Sequence, residues 1–165
     1  MMFTYAILTL SDKGAAGERE DKSGHVLEEA VSEKLGYTKE YYAVIPDEED
    51  ILVRSYNHCI KDLHVDLVLT TGGTGLSERD ITPEVTARYA DKEIPGMGEA
   101  MRMKSLAITP HAMITRCGAY LKEKTLIINL PGSPKGAAEN FSFVADAIPH
   151  ALGIITGKDK ECARS

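Results

Sequence analysis

The chain lacks most of the features that mark secreted, membrane-spanning or nucleic-acid-binding proteins. Its 165 residues include three cysteines, Cys59, Cys117 and Cys162. They are odd in number, far apart and form no C-x-x-C, which argues against both a disulfide framework and a zinc site. The five histidines, His25, His58, His64, His111 and His150, show no ligand spacing either. No run of eighteen apolar residues occurs, so no transmembrane helix is expected. The opening MMFTYAILTL reads as a strand, without the basic region or cleavage site of a secretory leader. Basic residues are outnumbered 19 to 25, for a net charge of −6. That argues against wholesale nucleic-acid binding. A small anion remains a reasonable ligand, because it responds to local amides and a few basic side chains. The expectation is a cytoplasmic, soluble domain spanning 1–157, with a polar, frayed tail over 158–165 and no internal repeat. A chain of this length buries roughly two-thirds of its unfolded surface.

What is present is a regular alternation of elements. Phe3 to Leu10 is a short β-rich apolar run, followed by the polar glycine-containing loop SDKGAAGERED. Val26, Leu27, Ala30, Val31 and Leu35 recur at helical spacing until Gly36. Tyr41 to Ile45 reads as a second strand. Asp47 then stands where an N-cap belongs, ahead of a helix whose apolar face is Ile51, Leu52, Tyr56, Cys59, Ile60 and Leu63. In this helix His58 and Cys59 point about 100° apart, one exposed and one buried. Val65 to Leu69 is a third strand, and Thr82-Pro83-Glu84 is a helix start with threonine as cap. Pro95 opens a helix bearing Met97, Met101 and Leu106, with Met97 and Met101 as a core or subunit-contact stripe. Residues 112–121 and 125–130 read as strands joined by the Lys122-Glu123-Lys124 turn. A last helix buries Ala137, Phe141 and Val144, and Pro149 kinks or divides it. This order implies an α/β fold of three layers, a mostly parallel sheet with helices on both faces and a small β-hairpin.

In such a fold the loops at the carboxyl ends of the strands share one edge, where ligands bind. Those loops are Ser11-Asp12-Lys13, Pro46-Asp47, the stretch TTGGTGLSERDITPE over 70–84, and Leu130-Pro131-Gly132-Ser133-Pro134-Lys135. Gly72-Gly73-Thr74-Gly75 lacks the GK[ST] ending of a Walker loop, and Glu78 breaks a GxGxxG pattern. It is either a plain strand-to-helix turn or a nest of amides and hydroxyls for an anion. Asp80 is either half of an ordinary ion pair with Arg79, or a carboxylate that holds Mg²⁺ against a phosphate while Arg79 serves the negative charge. Asp47 is a helix cap or a second such carboxylate. Ser11 and Asp12 are turn residues or site residues, and Lys135 is a solvated lysine or a phosphate partner. Aspartates, glycine amides and the cations Lys13, Arg79 and Lys135 on one edge describe a metal–nucleotide site.

The segments TTGGTGLSERDITPEVT and EIPGMGEAMRMKSLAITPHAMITRCGAYLKEKTLIINLPGSPKG, together with SDK, GEREDKSG and IPDE in order, are shared with a known family. The chain resembles the molybdopterin adenylyltransferases of molybdenum-cofactor biosynthesis, and the G domain of gephyrin-like proteins. The resemblance implies a molybdopterin-binding-domain fold and a reaction of molybdopterin with ATP and Mg²⁺ that yields adenylated molybdopterin and pyrophosphate. A separate molybdate-inserting protein would take up the product. It implies that Gly72, Gly73, Thr74 and Gly75 hold nucleotide phosphates, and that Asp47 and Asp80 act through Mg²⁺. Ser11, Asp12, Pro131, Gly132 and Ser133 would border nucleotide or pterin, and the protein would be a homotrimer. Two rivals are a non-catalytic pterin-binding scaffold on the same fold, and a nucleotide hydrolase built on a related domain.

Overall fold

The computed structural model describes residues 2–158; the expected tail therefore lies, beyond Lys158, outside the described residues, as does Cys162. Strand β1 (Thr4–Leu10) leads through the short helix α1 (Asp12–Ala15) to α2 (Lys22–Lys34). Next come β2 (Thr38–Ile45), α3 (Glu49–Asn57) with a widened π turn over His58–Asp62, and β3 (Leu67–Thr71). Helix α4 (Thr82–Tyr89), the two-residue strand β4 (Lys92–Glu93) and α5 (Pro95–Leu106) follow. The chain closes with β5 (Gly118–Lys122), β6 (Thr125–Leu130), α6 (Pro134–Val144) and α7 (Ile148–Ile155).

The strands form one six-stranded sheet in the order β2-β1-β3-β6-β5-β4. The first four are mutually parallel. Strands β5 and β6 are the expected antiparallel hairpin. Period-2 alternation divides the core. Tyr5, Ile7, Leu67, Leu69, Leu126 and Ile128 point to the face covered by Leu27, Val31, Met101, Phe141 and Leu152. Ala6, Leu8, Val68 and Ile127 point to the face covered by Leu52, Tyr56, Cys59 and Val85. The three layers are thus α2, α5, α6 and α7 on one side of the sheet, and α3 and α4 on the other.

Several local expectations change. The stretch 112–121 is not one strand, because Pro110–Ile114 is a 3₁₀ turn whose cap Thr109 accepts from the His111 N–H at 3.3 Å. Leu106, placed on the apolar face of α5, is 43% exposed, whereas Met101 is fully buried. Strand β3 runs on through Thr70 and Thr71, whose hydroxyls are satisfied internally. The Thr70 hydroxyl accepts from Asn129 Nδ2 at 2.8 Å, and that of Thr71 donates to the Pro131 carbonyl at 2.7 Å. Pro149 does divide the last helix, entering the first turn of α7 after a 3₁₀ step at Ala145–Ala147.

Between the sheet and its α3–α4 layer lies a small polar chain. The Thr86 hydroxyl donates to the Thr82 carbonyl at 2.6 Å, so it accepts from the Tyr56 hydroxyl at 2.7 Å. Both residues are fully buried. Tyr56→Phe removes that bond and the longer one, at 3.5 Å, from Asn129 Nδ2, and leaves the Thr86 acceptor unmet, which should lower unfolding stability by about 1–2 kcal/mol. Urea denaturation should show this as a lower midpoint with unchanged slope.

Candidate functional site

The carboxyl ends of β1, β3 and β6 converge on Gly72. Its N–H donates to the Leu130 carbonyl at 3.2 Å. A Cβ at Gly72 would stand 2.3 Å from the Leu10 carbonyl, and its φ of 99° lies where L side chains are strained. A Cβ on Gly132 would lie 3.2 Å from the Gly72 Cα. Gly73 continues the left-handed turn at φ 67°. A side chain there would strike the Thr82 hydroxyl at 2.2 Å and Asp47 Oδ1 at 3.0 Å. Gly73 is thus excluded from bearing a side chain by contacts inside the fold, before any phosphate is considered.

These loops wall a cavity of about 940 Å³. Of the residues expected at the site, Ser11, Asp12, Asp47, Gly72, Gly73, Arg79, Asp80, Gly132 and Ser133 line it, as does Lys13. Thr74, Gly75 and Pro131 do not line it: Thr74 is buried, Gly75 is exposed, and the Pro131 carbonyl takes the Thr71 hydroxyl. Lys135 is not part of the wall; its exposed ammonium lies 3.8 Å from Glu139 one helical turn on. The N–H groups of Gly73, Thr74 and Gly75 have no hydrogen-bond partner among the described residues, so they are available to an anion.

Of the two readings of Asp80, the ordinary ion pair with Arg79 does not form. Arg79 instead grips Asp12 with both arms, Nε to Oδ2 at 3.0 Å and Nη2 to Oδ1 at 2.8 Å, and reaches Glu48 Oε1 at 2.9 Å. Adjacent side chains in a turn diverge, and a bidentate carboxylate is the better partner for a guanidinium. Arg79 therefore ties three edge loops together rather than standing free for a phosphate. Its hydrogen bonds hold the Asp12 carboxyl below the usual range, aided by the Asp47 N–H. Asp80 turns into its own loop, where Oδ2 accepts from the Ser77 N–H at 2.9 Å and from the Ser77 hydroxyl at 2.7 Å. Its Oδ1 has no partner among the described residues.

Asp47 is not a helix cap. The N-cap of α3 is Glu48, whose side chain makes no capping bond, while the Asp47 N–H donates to Asp12 Oδ1 at 3.0 Å. Thr82 likewise is the first residue of α4 rather than its cap, and its hydroxyl donates to the Gly72 carbonyl at 3.0 Å. The Asp47 carboxyl projects inward, its Oδ1 buried without any hydrogen-bond partner. Burial, then the neighbouring Asp12 and Asp80 charges, push its pKa up to about 6. A buried carboxylate oxygen without a donor, in the same cavity wall as Asp80, suits a divalent cation. Among the described residues no group of three or more acids, histidines or cysteines forms a metal cage.

The wall also contains residues that sequence reasoning passed over. Asp21 Oδ1 caps α2 through the Gly24 N–H at 3.0 Å. Its Oδ2 takes the Thr9 hydroxyl at 2.7 Å and the Tyr42 hydroxyl. The Ser23 hydroxyl donates to the Gly132 carbonyl at 2.5 Å. Arg19 and Lys22 join Lys13 in the cavity wall, and none of the three forms an ion pair with another described residue. Asp21 was detectable as an acid three residues before Gly24, at the start of a helical period.

The family model described as "Probable molybdopterin binding domain" matches residues 6–150. The chain belongs to this family. It is 43% identical over 152 residues to the molybdopterin adenylyltransferase of Helicobacter pylori (strain ATCC 700392 / 26695), covering 92% of this chain and 86% of that one. It is 39% identical over 170 residues to that of Escherichia coli (strain K12), covering 95% and 87%. The crystal structure of the molybdopterin biosynthesis enzyme MoaB from Thermus thermophilus superposes with a TM-score of 0.89 at 42% identity, covering 94% of this chain and 98% of that one. The molybdopterin-binding-domain fold expected from the resemblance is therefore the fold observed.

The Asp47 environment sets a pH test. Its folded pKa of about 6 lies above the unfolded value of about 3.9. Between these values the folded state binds more protons, so the contribution of Asp47 to stability is lost as pH rises through 6. Asp47→Asn should therefore gain stability relative to the parent between about pH 4.5 and 7.5 when divalent ions are chelated. Melting curves at both pH values check it, and an equal difference at both would contradict the placement of the carboxyl.

Proposed function

We propose that this protein is a molybdopterin adenylyltransferase of molybdenum-cofactor biosynthesis, joining ATP to molybdopterin and releasing pyrophosphate. The observation that carries the reading is the conjunction, in one cavity, of the unpartnered Gly73 amide, first of three consecutive free amides, with the partnerless Asp47 oxygen. The curated relatives bearing that activity in their names match over most of their length.

In the reaction, an oxygen of the molybdopterin phosphate attacks the α-phosphorus of ATP. The bond from that phosphorus to the bridging oxygen breaks, and pyrophosphate departs with the electron pair. A phosphomonoester has a second pKa of about 6, so the nucleophile is largely dianionic at neutral pH and needs no general base. Among the described residues no histidine lines the cavity, consistent with catalysis by positioning and charge. Asp47 and Asp80 would hold Mg²⁺, which neutralises charge on the phosphate oxygens when bound. The Gly73–Gly75 amides serve the nucleotide phosphates. Lys13, Arg19 and Lys22 supply positive charge to two anionic substrates, and Ser11, Asp12, Gly132 and Ser133 border them. Arg79 acts indirectly, neutralising Asp12 and Glu48 so that they do not repel the phosphates.

The same reading places one catalytic domain over residues 1–157, working in the cytoplasm without contact to nucleic acid or membrane. Among the described residues no helix is long and apolar enough to cross a membrane. It also includes a homotrimer and hand-off of the adenylated product to a molybdate-inserting protein. Exposed Met103, Ile108, Met113 and Ile114, on α5 and the turn after it, support a subunit contact.

Asp80→Asn keeps an acceptor for Ser77 and should fold normally, as should Asp47→Asn. Both should lower adenylation by about 10²-fold or more, because each removes a charge placed for the transition state. Pyrophosphate release should require molybdopterin, ATP and a divalent ion together. Steady ATP hydrolysis without pterin would support a hydrolase, and near-parental adenylation by Asp80→Asn would remove the carboxylates from the mechanism.

A further inference from the structure

Residues 75 to 79 are all exposed, and Leu76, the apolar residue among them, is 68% exposed. This loop therefore has no anchor of its own in the core, yet it must place the Asp80 carboxylate. Besides the Arg79 grip on Asp12 and Glu48, a second anchor comes from Arg116, which lies outside the cavity, two residues before β5. Its N–H donates to the Thr74 carbonyl at 3.2 Å. Its Nε donates to the Gly75 carbonyl at 2.8 Å, and its Nη2 to the Asp80 carbonyl at 2.6 Å. The third nitrogen, Nη1, is paired with Glu84 on α4. One guanidinium thus fastens both ends of the 75–80 bulge and is itself held to the helix that follows it. Within the bulge the Asp80 carboxylate closes the circuit onto Ser77.

We propose that Arg116, seated on Glu84, is a positioning residue for the reaction. Through the Gly75 and Asp80 carbonyls it fixes where the Asp80 carboxylate and the free glycine-loop amides stand, without touching substrate. Its activity arm rests on the adenylyl-transfer reading. The planar fork is essential, because it spans two carbonyls while facing a carboxylate. A lysine supplies the same charge to Glu84 as a single point donor and cannot bridge both carbonyls.

Arg116→Lys separates charge from geometry. Amide hydrogen exchange should show the Ser77 N–H losing protection by about tenfold, while Leu126 and Ile128 in the central sheet keep theirs. With molybdopterin, ATP and Mg²⁺, kcat should fall by about 10²-fold, the scale of an ångström-level misplacement, with KM for ATP changed by less than about threefold. Glu84→Gln should move both readouts the same way by smaller factors, and it decides the matter if Arg116→Lys does not fold. Unchanged Ser77 protection, a uniform loss across the sheet, a rise in KM at constant kcat, or normal kcat despite a loosened loop would each overturn the proposal. If the parent protein itself fails to adenylate molybdopterin, the functional reading falls, and the exchange measurement alone decides whether Arg116 sets the loop.

Discussion

The site depends on how closely three strand ends can approach one another. Gly72 is the meeting point: its amide is bonded to the end of β6, its α-carbon lies against the Leu10 carbonyl, and Gly132 packs over it. Any side chain there would drive β1 and β3 apart at the edge. With a bare backbone, the loops from β1, β3 and β6 close around one cavity, and the Asp47 loop is drawn in from β2 by the Asp12 carboxylate. Parallel strands supply the common edge, and glycine supplies the proximity.

On that frame the charges are sorted rather than merely gathered. Arg79 neutralises Asp12 and Glu48 and in doing so locks three loops. Asp80 is occupied on one oxygen by Ser77, and Asp47 keeps one buried oxygen without a partner. Neutralised acids act as struts, while the incompletely satisfied ones remain for a cation. The protein bears the cost of an unpaired buried carboxylate in the form of a raised pKa.

Much of this was legible in the residues. The alternation in Tyr5-Ala6-Ile7-Leu8 and the run Leu126-Ile127-Ile128 identified strands buried on both faces, and helix periods between them implied the layers. Glycines and aspartates at the strand ends marked the edge. The errors share one cause, which is that local pattern does not reveal distant partners. Asp47 after a proline looks like a cap, but the acceptor it needed was for its own N–H, 35 residues away on Asp12. Arg79 beside Asp80 looks like a pair, but its carboxylate lies 67 residues back. Asp21 is readable as a cap, while its bonds to Thr9 and Tyr42 follow from sheet neighbours. Ala112-Met113-Ile114 looks like a strand, but Thr109 and Pro110 start a 3₁₀ turn.

In the proposed reaction the bond made in this cavity is to the α-phosphorus of ATP. Single-turnover incubation of the protein with molybdopterin, Mg²⁺ and ATP labelled at either the α- or the γ-phosphate tests it directly. The α label should appear on the pterin and the γ label in pyrophosphate. Transfer of the γ label to the pterin, or its release as free phosphate with no pterin product, would contradict it.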